Sequence, residues 1–179
     1  EMVHWFILPK THTFFGSSKG KFKYSLGVNV GIDGFLPSDI YYSIELGYNA
    51  ISNLYDLSDT DRLNPSQIIN VRTDIVRYYQ QRGITIDEAY LQKCWNMGRG
   101  FYSRLAAGYF EEEYAGIASQ FLYYPVHSPF AVGIEGAIFK KRAYKGYGFT
   151  SKVRKLNGFI PTWKNFPFGS QYFLNLYYD

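Results

Sequence analysis

Glu111, Glu112 and Glu113 stand in a row between the runs "RLAAGYF" and "YAGIASQFLYYP". Carboxylates at that density can serve as acid and base, or chelate Ca²⁺, which takes several oxygen ligands. Consecutive side chains of a strand point to alternate faces, so the three cannot all reach one ion. No Asp-rich loop of calcium-binding spacing accompanies them. They are expected to close a strand and open a charged turn, which also discourages edge aggregation. Glu112 then shares a face with Arg104 and Gly108, and Glu111 takes the other.

A hydrolase needs a nucleophile, a base and an orienting group. The three histidines are His4, His12 and His127. His127 precedes Ser128 inside "YPVHSPF", a tight turn between prolines, where adjacent residues seldom form a nucleophile–base pair. His4 and His12 join no recognisable ligand set. Cys94 is the single cysteine, which rules out an internal disulfide and a cysteine metal site. "YKGYGF" lacks the spacing of a phosphate-binding loop. No catalytic residue, metal site or cofactor is therefore expected, and no enzymatic activity. Glu45, Glu135, Lys141 and Arg104 pose a different question. If they face an interior, they must pair with one another or meet water, because an unpaired buried charge is costly. They form either a salt-bridged filling or a polar track that holds a hydrophilic substrate.

The elements that position these residues follow from composition and period. The 179 residues suffice for one domain with a sizeable core. The net charge is +4, with 19 basic residues scattered among 15 acids. That pattern makes no nucleic-acid footprint. Eighteen Tyr, 15 Phe, 3 Trp and 17 Gly favour β-structure. Residues 1–20 show no signal peptide. Residues 114–134 carry no charge, a length that suits a membrane helix. Pro125 and Pro129 break that stretch, its flanks alternate, and the mean hydropathy is −0.24. A helix there is rejected.

Alternation is the clearest signal. In "KFKYSLGVNVGID" one face carries Phe22, Tyr24, Leu26, Val28, Val30 and Ile32, and the other only polar residues and Gly. "IYYSIELGYNA" puts Ile40, Tyr42, Ile44, Leu46, Tyr48 and Ala50 on one face. "FAVGIEGAIFKKR" puts Phe130, Val132, Ile134 and Ile138 on one face, with Glu135 and Lys141 on the other. Strands are expected near 21–33, 39–50, 84–96, 100–111, 116–125 and 130–142, with weaker ones near 4–15 and 171–178. Pro9 suits an edge strand. Most exceed the usual strand length of roughly five to six residues and match the roughly nine to eleven of a tilted bilayer-spanning strand. The long connections, 51–83 and 143–170, fall on one side of an antiparallel sheet, and short turns on the other. The expected fold is all-β: an antiparallel meander of about eight long strands, either a transmembrane β-barrel or an open segment of a larger one. Asn64, Pro65 and Gly83 punctuate a helix over 65–82 inside the third connection, although "VRTDIVRY" also alternates as a strand would. The chain reads as one domain over 1–179.

Four segments occur in order: "INVRTDIVRYYQQRG", "FYSRLAAGYFEEEYAGIASQFLYYP", "FAVGIEGAIFKKRAYKGYGF" and "QYFLNLYYD". Together with "FFGSSKGKFKYSLGV" they resemble the YjbH/GfcD family of outer-membrane β-barrel proteins linked to exopolysaccharide and capsule production. The resemblance implies a bacterial outer-membrane location and a role in polysaccharide export or assembly. Its implied partners are outer-membrane lipid, polysaccharide and other proteins of the export pathway, with no catalytic chemistry. Arg72, Thr73 and Asp74 match the family's "VRTDI". Arg104, Gly108, Glu111 and Gly116 match "YaRlsaGyLEemyaG", and Arg142 matches the arginine of "kqRdy". Glu135 joins these as a lumen candidate from its position on the polar face. The chain departs from the family at Gln120, where the family has an acid, at Tyr124, where it has a basic residue, and at 171–173, where its histidine is missing. Family members continue beyond "YY", so a partial member, incomplete at its C-terminus, is expected. A soluble or peripheral β-sheet module binding a glycan or a partner protein through its aromatic face is the alternative.

Overall fold

In a computed structural model of the chain, residues 3–17, 20–57, 75–157 and 160–178 are described. The alternating runs form β1 (Val3–Ser17), β2 (Gly20–Leu36), β3 (Ile40–Ser52), β4 (Gly83–Gly98), β5 (Phe101–Tyr109), β6 (Tyr114–Tyr123) and β7 (Phe130–Lys141). A hairpin follows, β8 (Lys152–Asn157) with β9 (Ile160–Asn165), and then β10 (Gly169–Tyr178). β1 to β7 and β10 make one eight-stranded sheet in that order, antiparallel throughout. Among the described residues no pairing joins β1 to β10, so the sheet is open, with those strands as its edges. The charge-free stretch is β6, a turn and the first five residues of β7. No helix of the described residues is long and apolar enough to cross a membrane.

Two elements differ from expectation. The β8–β9 hairpin lies where only a long connection was expected. Its strands are six residues each, and "KVRKLN" and "IPTWKN" carry charges and a proline that hide their period. Of the helix expected over 65–82, residues 65–74 lie outside the described residues. The remainder holds one turn, α1 (Val76–Tyr79), and Gly83 opens β4 at φ +88°. Pro9 does sit on an edge strand, opposite Val28.

Burial is inverted. Lys10, Lys23, Ser25, Ser43, Asp87 and Lys141 are buried, whereas Trp5, Val30, Ile44, Ile117, Ile134 and Leu174 are exposed. The period of two sorts the residues this way in β2 to β7. The polar face must be concave, because Lys10 on β1 bonds Asp87 on β4. Three interstrand steps of about 4.8 Å would hold those strands roughly 14 Å apart in a flat sheet, beyond the reach of the two side chains.

A bulge in β4 sets up the main cross-link. Glu45 pairs with Glu88 and Leu46 with Ile86, which leaves Asp87 without a ladder partner. The bulge frees backbone carbonyls, and Arg142 takes them. Its Nη2 donates to Ile86 O at 2.6 Å and Gly146 O at 2.8 Å. Its Nη1 donates to Glu111 O at 2.6 Å and, more weakly, to Asp87 O at 3.4 Å. Tyr78 Oη of α1 donates to Arg142 O at 2.6 Å, and the Tyr109 ring lies 4.2 Å from the guanidinium carbon. This one side chain, fully buried, joins β7, the β4 bulge, the β5–β6 turn and the turn after β7. A buried acceptor left without a donor costs about 1–3 kcal/mol. Arg142→Ala is therefore expected to lower the unfolding free energy by about 3–5 kcal/mol, and Arg142→Lys by roughly half that, since lysine lacks the planar fork. Denaturant midpoints at unchanged m-value would measure both; a loss below about 0.5 kcal/mol for the alanine variant would refute the cross-link.

Candidate functional site

The concave face carries two layers, an ionic layer near the long connections and an aromatic row that crosses the sheet. In the ionic layer Lys10 Nζ donates to Asp87 and to Glu112 Oε1, the latter at 2.6 Å. Thr85 Oγ1 donates to Asp87 Oδ1 at 2.6 Å. Gly47 makes room for this group: a Cβ there would lie 2.6 Å from Lys10 Nζ and against the Asp87 carboxylate. Beside it, Lys141 Nζ donates to Glu113 Oε2 at 3.1 Å, with both side chains fully buried. The rings of Tyr78 and Tyr114 flank that ammonium at 5.1 and 5.3 Å. Lys23 Nζ donates to both oxygens of Asp56 at 2.8 Å. The 3-10 turn Leu54–Asp56 and α1 fold over this end, where Leu54, Leu57 and Val76 form a small apolar cluster with Phe14, Ile75 and Tyr79.

The glutamate triplet does form the turn after β5, but its carboxylates bond inward. Phe110–Glu113 leave the ladder, so strict alternation stops. Glu112 reaches Lys10, Glu113 reaches Lys141, and Glu111 offers its carbonyl to Arg142. Burial lifts the Glu112 carboxyl above the ordinary glutamate value, and the Lys10 ammonium opposes that rise.

The aromatic row is Phe35, Tyr41, Tyr90 and Phe110, with successive ring centroids 5.4, 6.1 and 5.9 Å apart. It starts at the β2–β3 turn and ends at the β5–β6 turn, so it runs from one end of the sheet to the other. Polar groups border it. Ser43 Oγ donates to Glu88 Oε1 at 2.7 Å, and Asn29 Nδ2 donates to Glu45. Toward β7 the surface is smooth: Ala106, Ala118 and Ala137 lie in register, as do Gly108 and Gly116. Gly108 sits at φ +143°, and a Cβ would strike the β4 backbone at Ala89 and Tyr90. Next to the alanines, Arg104, Gln120 and Glu135 share one register row. Arg104 Nη2 lies 3.4 Å from Glu135 Oε2, spanning the strand that carries Gln120. Arg104 and Glu135 are both partly exposed to the concave space.

The expected site residues fall into two groups. Arg104 and Glu135 meet in the polar row, while Arg142 and Glu111 meet through a side chain and a carbonyl at the ionic end. Arg72 and Asp74, with Thr73, lie outside the described residues. Glu45, Glu135, Lys141 and Arg104 do not form one set, since each of the first three has a different partner. Lys10, Asp87 and the aromatic row were not singled out from sequence. Tyr41 sits on the polar face of an otherwise clean alternation, which is the available signal for the row. Elsewhere, Ser128 Oγ exchanges hydrogen bonds with the Phe130 backbone, and His12 stacks on Tyr79 at 3.6 Å. Among the described residues no three His, Cys, Asp or Glu side chains group as metal ligands.

Residues 1–179 match the model of the YjbH family, described as "Exopolysaccharide biosynthesis protein YbjH". The "Uncharacterized lipoprotein YjbH" of Escherichia coli (strain K12) is 27% identical over 139 residues, covering 78% of this chain and 20% of that protein. The matched stretch thus spans about a fifth of the length of that relative. No solved structure matches.

Lys10→Met would leave Glu112 and Asp87 in the concave face without their cation. Uncompensated buried charge costs about 3–5 kcal/mol. With the opposing ammonium gone, the Glu112 carboxyl rises further. A raised carboxyl contributes stability that is present below the unfolded value and lost as pH rises through the folded one. The deficit of Lys10→Met relative to wild type should therefore be largest near neutral pH and shrink in acid, as read by unfolding curves across that range. A deficit independent of pH would contradict the assignment.

Proposed function

The chain belongs to the YjbH family of exopolysaccharide biosynthesis proteins, and from that premise we propose that its sheet is a wall segment of an outer-membrane β-barrel. The concave face lines a lumen that holds a polysaccharide during export or assembly. The observation that carries this reading is the inverted burial. Among the described residues of the eight long strands, Lys93 and Lys140 are the charges on the convex face. Each lies near an end, beside aromatic rings: Trp95 at 5.7 Å, and Phe149 and Phe168 at 5.6 and 5.4 Å. Between those ends the face is apolar and exposed. Such a surface is costly in water and suited to hydrocarbon. Aromatic pairs edge the band, Phe101–Tyr123 and Phe130–Tyr178 at the short-turn end and Phe15–Phe22 at the other. These positions suit interfacial belts.

The lumen side supplies the glycan contacts. Phe35, Tyr41, Tyr90 and Phe110 present rings at spacings close to the repeat of a sugar chain. The C–H faces of pyranose rings stack on such surfaces, and carboxylates, amides and Arg104 beside them bond hydroxyls. Weak contacts repeated along a track let a chain slide without being trapped. The role assigned here is passage and guidance, with no bond made or broken. The long connections face outward and the short turns face the periplasm. Other proteins of the export pathway would complete the route.

Two measurements test this. The chain should float with lipid vesicles and show a heat-modifiable gel shift; a chain fully soluble without detergent, with no shift, would sink the barrel reading. Tyr90→Ala and Tyr41→Ala should leave the shift intact and weaken oligosaccharide binding by about 1 kcal/mol each, roughly fivefold, with Tyr→Phe close to wild type. Unchanged binding in both alanine variants would remove the aromatic track.

A further inference from the structure

The convex face is not uniformly smooth. At the long-connection end of β5, β6, β7 and β10 it holds a groove of about 650 Å³. Its floor is low because Ala115, Ser119 and Gly136 are small, while neighbouring positions on the same face carry Ile117, Ile138 and Tyr172. Phe149 and Phe168, from the excursion between β7 and β10, stand at its outer end. Tyr109 meets Phe149 edge-on at 6.2 Å. Lys140 lies at the same end, its Nζ over both phenylalanine rings. Among the described residues Lys140 has no carboxylate partner.

We propose that this groove is a binding site for a phosphorylated, acylated lipid of the outer leaflet, with an acyl chain along the small-residue floor and a phosphate on Lys140. The inference rests on the membrane reading above and adds a site to it. A recess in a hydrocarbon-facing surface either traps a void or takes a chain. The void forfeits dispersion contacts along its whole lining. The lining is almost wholly apolar, which fits a methylene chain and no polar ligand. The one cation sits at the end that faces the headgroup region, where a lysine beside aromatic rings marks the interface. An unpaired ammonium there prefers an anion, and a lipid phosphate is the anion that arrives attached to an acyl chain.

The test uses the full chain in detergent. Retention of bisphosphorylated lipid A is compared with that of its dephosphorylated form, by native mass spectrometry. Wild type should retain the phosphorylated form at least about threefold better, on the scale of one interfacial ion pair. Lys140→Gln should abolish the preference and Lys140→Arg should keep it. Ser119→Leu, which fills the floor, should lower retention of both forms. Equal retention of the two forms by wild type, or a preference that survives in Lys140→Gln, overturns the site. Vesicle flotation of the same samples separates the two claims. A chain that floats but shows no preference loses only the lipid site, whereas one that does not float loses both.

Discussion

A single-layer sheet has no second layer against which to hide its charges. Everything in this molecule follows from how the concave face deals with that constraint. Lys10, Lys141, Arg142, Asp87 and Glu113 are all buried, and each is held by partners from distant strands. Lys10 joins β1 to β4 and to the β5–β6 turn. Arg142 joins β7 to the β4 bulge and to the same turn. These bonds span the sheet as chords, so they set its curvature as well as its stability. Buried ion pairs add little net energy over an apolar filling, but removing one partner is costly. Their value here is geometric: they fix one curvature, and the ladder alone does not.

The long strands were legible because period two sorts Val, Ile, Leu and aromatics from Lys, Ser, Asn and Gly over ten or more residues. The limit of that reading lies at the bulges. Ala50 was expected on the apolar face of β3. The register instead passes from Leu26↔Ile51 to Gly27↔Asn49, so Ala50 is the extra residue and Ile51 takes the outward place. In β4 the inward set is Thr85 before the bulge and Glu88 and Tyr90 after it, an odd-to-even change that counting along the sequence does not register. A bulge is chosen by what the displaced residue can reach across the sheet. For Asp87 that partner is 77 residues away.

The same reason explains how the site was read. Arg104 and Glu135 were placed on the polar face correctly, because each lies in a regular strand. The glutamate triplet does form the expected charged turn, but its inward bonds were not legible, because Phe110–Glu113 leave the strand and turn toward lysines that sequence order does not bring near. Arg142 was marked by its motif alone. Its work is to satisfy carbonyls of residues on three other segments, and carbonyls have no sequence signature. The short β8–β9 hairpin escaped for want of period.

The two faces are coupled through shared register rows. Ser119 pairs with Gly136 and Gly136 with Tyr172, while one residue along the strands Gln120 pairs with Glu135 and Glu135 with Phe173. The same three strands therefore present a recess to one side and a polar row to the other. A register slip of one residue would push Glu135 into the convex face and Ile134 into the concave one. Both outcomes are expensive, the first by desolvation of a carboxylate and the second by loss of the Arg104 partner. The Arg104–Glu135 pair thus pins the register of β5 to β7. It reaches over the amide of Gln120 on the strand between. Because the pair reaches across the intervening strand, the Ala106, Ala118 and Ala137 row beside it stays free of bulk on the concave surface.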